Sequence, residues 1–244
     1  MLEIDRITPT RRPSGRPVGY QRWRSLLFMH WPVPVEALRP LVPSRLSIDT
    51  FDDVAYVGLV AFAMQGVRPP WAPERLAFRF LEANVRTYVH LDGRDPAVYF
   101  FSLDAQSRIA VEIARHRWSL PYHHAAMRLA RRGMTIEYES RRLDRSGARL
   151  GVRYEPGESL GESAPGTLEH FLLERYLLLV EARGRLWRGQ VHHRPYPAQR
   201  ARILRLDDEL IGAAGLPQPI GLPPLVHYAA GVDVEIFPLR PAGG

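Results

Sequence analysis

The sequence predicts an α+β domain that is mainly antiparallel β-sheet. Strand-like segments outnumber helical ones, the helices interrupt the strands irregularly, and turn residues separate the strands at short intervals. A doubly wound parallel sheet would instead alternate strand with helix. With 244 residues and a 45% hydrophobic fraction the chain can bury a substantial core. No internal repeat or composition shift divides it, so residues 1–244 read as one domain, with 1–17 as a loosely ordered arm.

Trp23 to Pro43 joins an apolar stretch to a turn of helix begun by Pro34, with Val35, Leu38 and Leu41 at helical spacing. Tyr56 to Met64 is a continuous apolar, β-branched and aromatic run, expected of a strand buried on both faces. Pro69 to Pro73, with Trp71, is a proline-rich loop of a kind that borders pockets. Phe78 to Leu91 alternates strictly: Glu82, Asn84, Arg86 and Tyr88 point one way, and Leu81, Ala83, Val85, Thr87 and Val89 the other. A turn over Asp92 to Pro96 leads to the strand Val98–Leu103, completing a hairpin.

Asp104 is expected to cap a helix from Ala105 to about Arg115 that buries Ile109, Ala110 and Ile113. An antiparallel meander follows, with strands around Met127–Ala130, Met134–Arg142 and Leu150–Glu155. A second helix begins near Thr167, and a hairpin through Gly184 leads to a strand over Leu186–His193. A short helix near Asp207–Ala213 and a strand at Val232–Phe237 complete the reading.

The chain has no cysteine, and all 33 of its Lys-plus-Arg residues are arginine. Disulfides, thiolate nucleophiles and Cys-based zinc sites are therefore excluded, as is any imine formed by a lysine amine. The net charge of +7 is spread through strands and turns without a basic tract, so no nucleic-acid partner is expected. No apolar run approaches the roughly 20 residues that cross a bilayer. The expectation is a cytoplasmic protein with no membrane partner and a possible homo-oligomeric state. Nucleotide and serine-hydrolase motifs (G-x-G-x-x-G, G-x-S-x-G) are absent, and no cofactor is expected.

The strongest local signal is the polar face Glu82, Asn84, Arg86, Tyr88. It is either the wet side of a half-covered sheet or the wall of an enclosed site. The apolar partner strand favours the enclosed reading. Buried polar groups then need partners or a ligand, and an arginine beside a glutamate suits a small carboxylate. His116, Trp118, Tyr122, His123 and His124 form a dense group farther on, and His192 and His193 form a second pair. Adjacent strand residues face opposite ways, so neither pair alone makes a metal site; a site drawing one histidine from each pair plus Glu82 stays open, and the expectation is no metal.

HWPVP (30–34), LRPLVP (38–43), LSIDTF (46–51), FLEANVRTYV (80–89), VYFFSLDA (98–105), ARHRWSLPY (114–122) and HHRPYP (192–197) together resemble the uncharacterised bacterial YqjF-like family, domain of unknown function 2071. That family lies in the acetoacetate decarboxylase-like superfamily. The resemblance implies a cone-like antiparallel β-barrel around a ligand cavity, with a few peripheral helices. The decarboxylases carry a segment G-R-E-x-x-G-F-P-K whose lysine forms the imine with the keto acid. ARHRWSLPY resembles it, with Arg115 at the arginine, Pro121 at the proline and Tyr122 at the lysine. A phenol cannot form that imine, so the covalent mechanism is not inherited. Glu82 resembles a glutamate on the decarboxylases' cavity strand.

The expected function is non-covalent binding of a small organic acid or polar metabolite. Asn84, Arg86, Tyr88, Arg115, His116, Trp118 and His193 are the expected ligand-binding residues. The alternative is an acid/base enzyme using Glu82 and Tyr122 as its catalytic pair. Nucleic-acid binding through the positive charge is the third reading.

Overall fold

A computed structural model describes residues 4–112 and 120–243. Among the described residues, one sheet contains β1 (Gly19–Val33), β2 (Ser47–Ile48), β3 (Ala55–Arg68), β4 (Phe78–Leu91), β5 (Arg94–Ala105), β6 (Tyr122–Arg132), β7 (Thr135–Arg142), β8 (Arg149–Gly161), β9 (Leu177–Ala182), β10 (Arg185–His192), β11 (Ala198–Asp208), β12 (Leu225–Ile236) and β13 (Arg240–Pro241). Besides a helical stretch over 108–112, the α-helices among the described residues are short: α1 (Val35–Leu38), α2 (Leu168–Leu173) and α3 (Leu210–Ala213). No helix among the described residues is long and apolar enough to cross a membrane.

The strand order is β13-β10-β9-β5-β6-β7-β8-β11-β12-β1-β3-β4-β2, and β5 also pairs with β4 while β10 also pairs with β12. The first extra pairing closes a circuit through β6, β7, β8 and β11; with the second, another circuit closes through β9 and β10. Both circuits share β12, β1, β3, β4 and β5, so these strands form a wall with protein on each side. Successive wall residues enter different cores. Leu27, Met29, Leu59, Ala61, Ala83 and Val85 pack into one, while Phe28, Val60, Phe62, Phe80 and Tyr88 pack into the other. The unbroken apolar run Ala55–Met64 of β3 follows from this, because neither face of that stretch meets water.

The hairpin β4–β5 turns at Asp92-Gly93 and pairs Leu91 with Arg94. Two irregularities shape the second circuit. Phe101 is an extra residue between the pairs Val85↔Ser102 and Arg86↔Phe100. This bulge lets both Phe100 and Leu103 face the same cavity. In β1 the register shifts between Arg24 and Leu27, and Ser25 takes a left-handed backbone with φ of 52°. Beside that bend, a Cβ on Gly231 would lie 2.5 Å from the Trp23 carbonyl oxygen, so the close approach of β12 to β1 requires glycine.

Several expectations are corrected. The sheet is not wholly antiparallel, because β5 runs parallel to both β6 and β9. Asp104 caps no helix. It lies in β5, buried, and accepts from Arg142 Nε at 2.9 Å, because the β4 ladder continues to the pair Glu82↔Ala105. Helix is present over residues 108–112, where Ile109 is 59% exposed and Val111 is the buried residue; Ile113 lies outside the described residues.

β11 replaces a segment with no assigned strand, and Gly19–Val33 is one long strand where only an apolar stretch was recognised. The N-terminal arm is pinned: Arg6 pairs with Asp49 and lies over Phe171, Arg12 bonds Glu235, and Gln190 Nε2 donates to the Pro9 carbonyl. α2 starts where expected, with the Thr167 hydroxyl accepting from the His170 N–H.

Candidate functional site

The alternating polar face of β4 points into the second circuit. There a cavity of about 110 Å³ is bounded by Glu82, Asn84 and Arg86 of β4, Phe100 and Leu103 of β5, and Tyr122 at the start of β6. One buried water needs roughly 10–15 Å³, so the space exceeds that of a trapped solvent molecule. Gln21, Trp23, Arg175, Tyr176 and Tyr196 complete the polar and aromatic part of the wall.

Glu82 is 2% exposed. Its Oε2 accepts from the Tyr122 hydroxyl at 2.7 Å and its Oε1 from Asn84 Nδ2 at 3.4 Å. Burial pushes the carboxyl up to about 7; the bonds from Tyr122 and Asn84 and the charge of Arg86 oppose that rise without cancelling it. The Tyr122 phenol is held well above its ordinary value, first by burial and then by the neighbouring carboxylate, so it remains a neutral O–H donor. Parallel pairing of Leu103 with Tyr122 brings these residues together, setting the first residue of β6 beside the end of β5.

Arg86 stands in a half-buried position across from Gly58, where a Cβ would come within 3.3 Å of the arginine Cγ. Its Nε donates to Asn84 Oδ1 at 3.0 Å, and its guanidinium carbon lies 5.9 Å from the ring centroids of both Phe28 and Phe100. Among the described residues it makes no ion pair, and its terminal nitrogens are unbonded where the side chain borders the cavity. Burial lowers its pKa, the expected effect of removing a cation from water. The other cavity arginine differs. Arg175 donates from Nη1 to Asp49 at 2.7 Å and from Nε to the Phe171 carbonyl at 2.7 Å, which fixes its position, while its Nη2 is buried with no partner among the described residues.

The remaining sequence-predicted residues divide. Tyr88 shares the β4 face but is fully buried and does not border the cavity. Its hydroxyl donates to the Leu172 carbonyl at 2.8 Å and lies 2.8 Å from His30 Nε2. His193 stands behind the wall, stacked on Tyr176 with centroids 4.3 Å apart; its Nδ1 bonds the Arg194 carbonyl at 2.7 Å, and burial lowers its pKa to about 4. Arg115, His116 and Trp118 lie outside the described residues. His123 bonds Asp144, and among the described residues no group of three His, Asp or Glu side chains stands close enough to hold a metal ion.

Sequence reading missed Arg175, Tyr176 and Tyr196. Only Tyr196 carried a signal, its position between two prolines in H-H-R-P-Y-P.

The curated relative YqjF of Bacillus subtilis (strain 168), an uncharacterized protein, is 37% identical over 229 residues, which span 93% of this chain and 94% of that protein. Among solved structures, the enduracididine biosynthesis enzyme MppR complexed with pyruvate superposes with a TM-score of 0.65 at 11% identity, covering 96% of this chain and 93% of that one. Acetoacetate decarboxylase from Legionella pneumophila superposes with a TM-score of 0.59 at 10% identity, covering 97% and 94%. At such identities the likeness is one of fold, which is therefore acetoacetate decarboxylase-like. The model of the domain of unknown function 2071, described as an uncharacterized conserved protein, matches residues 20–233, and the chain belongs to that family.

Proposed function

We propose that the second strand circuit acts as a cone-like barrel whose chamber binds a small organic acid without a covalent bond to the protein, the acid's carboxylate resting on Arg86. The observation that carries this reading is the Arg86 guanidinium, which borders the cavity with its terminal nitrogens unbonded among the described residues. A guanidinium brought partly out of water without an anion carries a cost, and a carboxylate that accepts both terminal N–H groups offsets it in bidentate geometry. The pyruvate bound to MppR makes keto acids sensible first probes.

Calorimetric titration of the full chain with pyruvate, acetoacetate and succinate tests the reading. At least one should bind, and Arg86→Gln should weaken it by at least tenfold. Equal affinity in the variant would refute the assignment. Binding should also weaken as the pH rises through about 7, because ionised Glu82 then repels the bound anion, and Glu82→Gln should flatten that dependence.

A second reading, acid/base catalysis, is favoured by one feature: a carboxyl poised near neutrality and bonded to a phenol at 2.7 Å. In this reading Glu82 takes or returns a proton at the bound acid, and Tyr122 supplies the hydrogen bond for developing negative charge. Glu82→Gln and Tyr122→Phe should then abolish turnover while leaving ligand affinity within a few-fold of the parent. Retained turnover in both variants would remove the pair from any mechanism.

A further inference from the structure

We infer that the acid held at Arg86 carries a hydrocarbon tail, and that this tail lies in a second cavity adjoining the chamber; the inference rests on the carboxylate reading above. The second cavity measures about 250 Å³ and shares Gln21, Met64, Tyr122 and Ile236 with the chamber. The two therefore adjoin at Tyr122, the residue bonded to Glu82, whose side chain borders both.

Their chemistry differs sharply. The inner space holds Glu82, Asn84 and Arg86, whereas the outer walls include Val18, Val67, Phe78, Phe80 and Ile109. The charged residue among the outer walls, Arg68, is turned onto the Tyr20 ring at 4.9 Å and bonds the Ala72 carbonyl at 3.3 Å. Phe78 and Val18 are 52% and 45% exposed, so apolar surface faces water directly outside a charged chamber. At the inner end an anionic head meets the unbonded terminal nitrogens of Arg86, whereas the outer guanidinium is already engaged by a ring and a carbonyl. A second polar group at the far end of the ligand would meet apolar wall and lose its hydrogen bonds to water. The fitting class is a monocarboxylic acid with an aliphatic or aromatic tail, not a dicarboxylate or a sugar acid.

The test titrates the full chain with straight-chain acids from butanoate to decanoate, with suberate as the dicarboxylate counterpart of octanoate. Affinity should rise about fourfold per methylene, the equivalent of ~0.8 kcal/mol, until the outer cavity is filled, and octanoate should exceed suberate. Phe78→Ser combined with Val18→Ser should lower decanoate affinity at least tenfold relative to butanoate, and an unchanged melting temperature would confirm that the fold is intact. If butanoate binds through Arg86 but longer acids bind no tighter, or if the chain-length gain survives the double substitution, the tail assignment fails alone. If no acid binds, or Arg86→Gln changes none of them, the carboxylate reading fails and takes this inference with it.

Discussion

The two cores on either side of the β12-β1-β3-β4-β5 wall are built from the same strands and differ in what they leave unfilled. On one side, Ala83 and Val85 of β4 meet Tyr138, Leu150 and Tyr154, and the Tyr138 hydroxyl is spent on the Glu82 carbonyl at 2.7 Å. On the other, the intervening residues Glu82, Asn84 and Arg86 meet a cavity. The arginines repeat the contrast. Arg142 and Arg175 are each buried against an aspartate, at 2.9 and 2.7 Å, whereas Arg86 has no carboxylate partner among the described residues. Pairing ties Arg142 and Arg175 into the scaffold, whereas the absence of a carboxylate beside Arg86 is what the proposed function uses.

The largest effect should come from breaking a scaffold pair. Arg142→Ala leaves Asp104 buried and uncompensated and should cost about 3–5 kcal/mol in urea unfolding, whereas Arg86→Met should change stability by less than about 1 kcal/mol. Equal losses would erase the distinction between the two classes.

Next is pH. Glu82 rises from an ordinary value near 4.5 to about 7, so the fold favours its neutral form. The stability this contributes is complete below about pH 4.5 and is lost as the pH climbs through 7, in total roughly 3 kcal/mol. Comparing Glu82→Gln with the parent at pH 5 and pH 8 isolates this contribution, because the nearby Asp104 and Arg86 remain in both; parallel pH profiles would mean that Glu82 is not shifted. The smallest effect concerns the bend that shapes the chamber wall. Gly231→Ala forces a Cβ towards the Trp23 carbonyl and should cost about 1–3 kcal/mol, whereas Gly93→Ala, with open space around it, carries only the strain of its positive φ.

Regular alternation made β4 legible from residue to residue, and its hairpin with β5 followed from Asp92-Gly93. β11 was not legible because register shifts at Gln199, Ala201 and Arg205 break its two-residue period. The same holds for β1, which shifts at Arg22 and Leu27 and contains Pro32. Asp104 looked like a helix cap because that is its local preference, which a ladder with β4 and a guanidinium from β7 overrode. Tyr88 was placed on the correct face, yet periodicity could not tell that α2 would supply a carbonyl to occupy its hydroxyl.

By itself the sequence determined the absence of lysine-amine and thiolate chemistry and the grouping of glutamate, asparagine and arginine on one side of one strand. Both are local properties, set by which side chains exist and by the pleat that alternates them. Tertiary structure alone decided that this side is hollow, that Tyr122 reaches Glu82, and that an apolar space adjoins it. Those outcomes depend on the parallel junction of β5 with β6 and on the closure of two circuits, which join residues too distant in the chain for any local pattern to link.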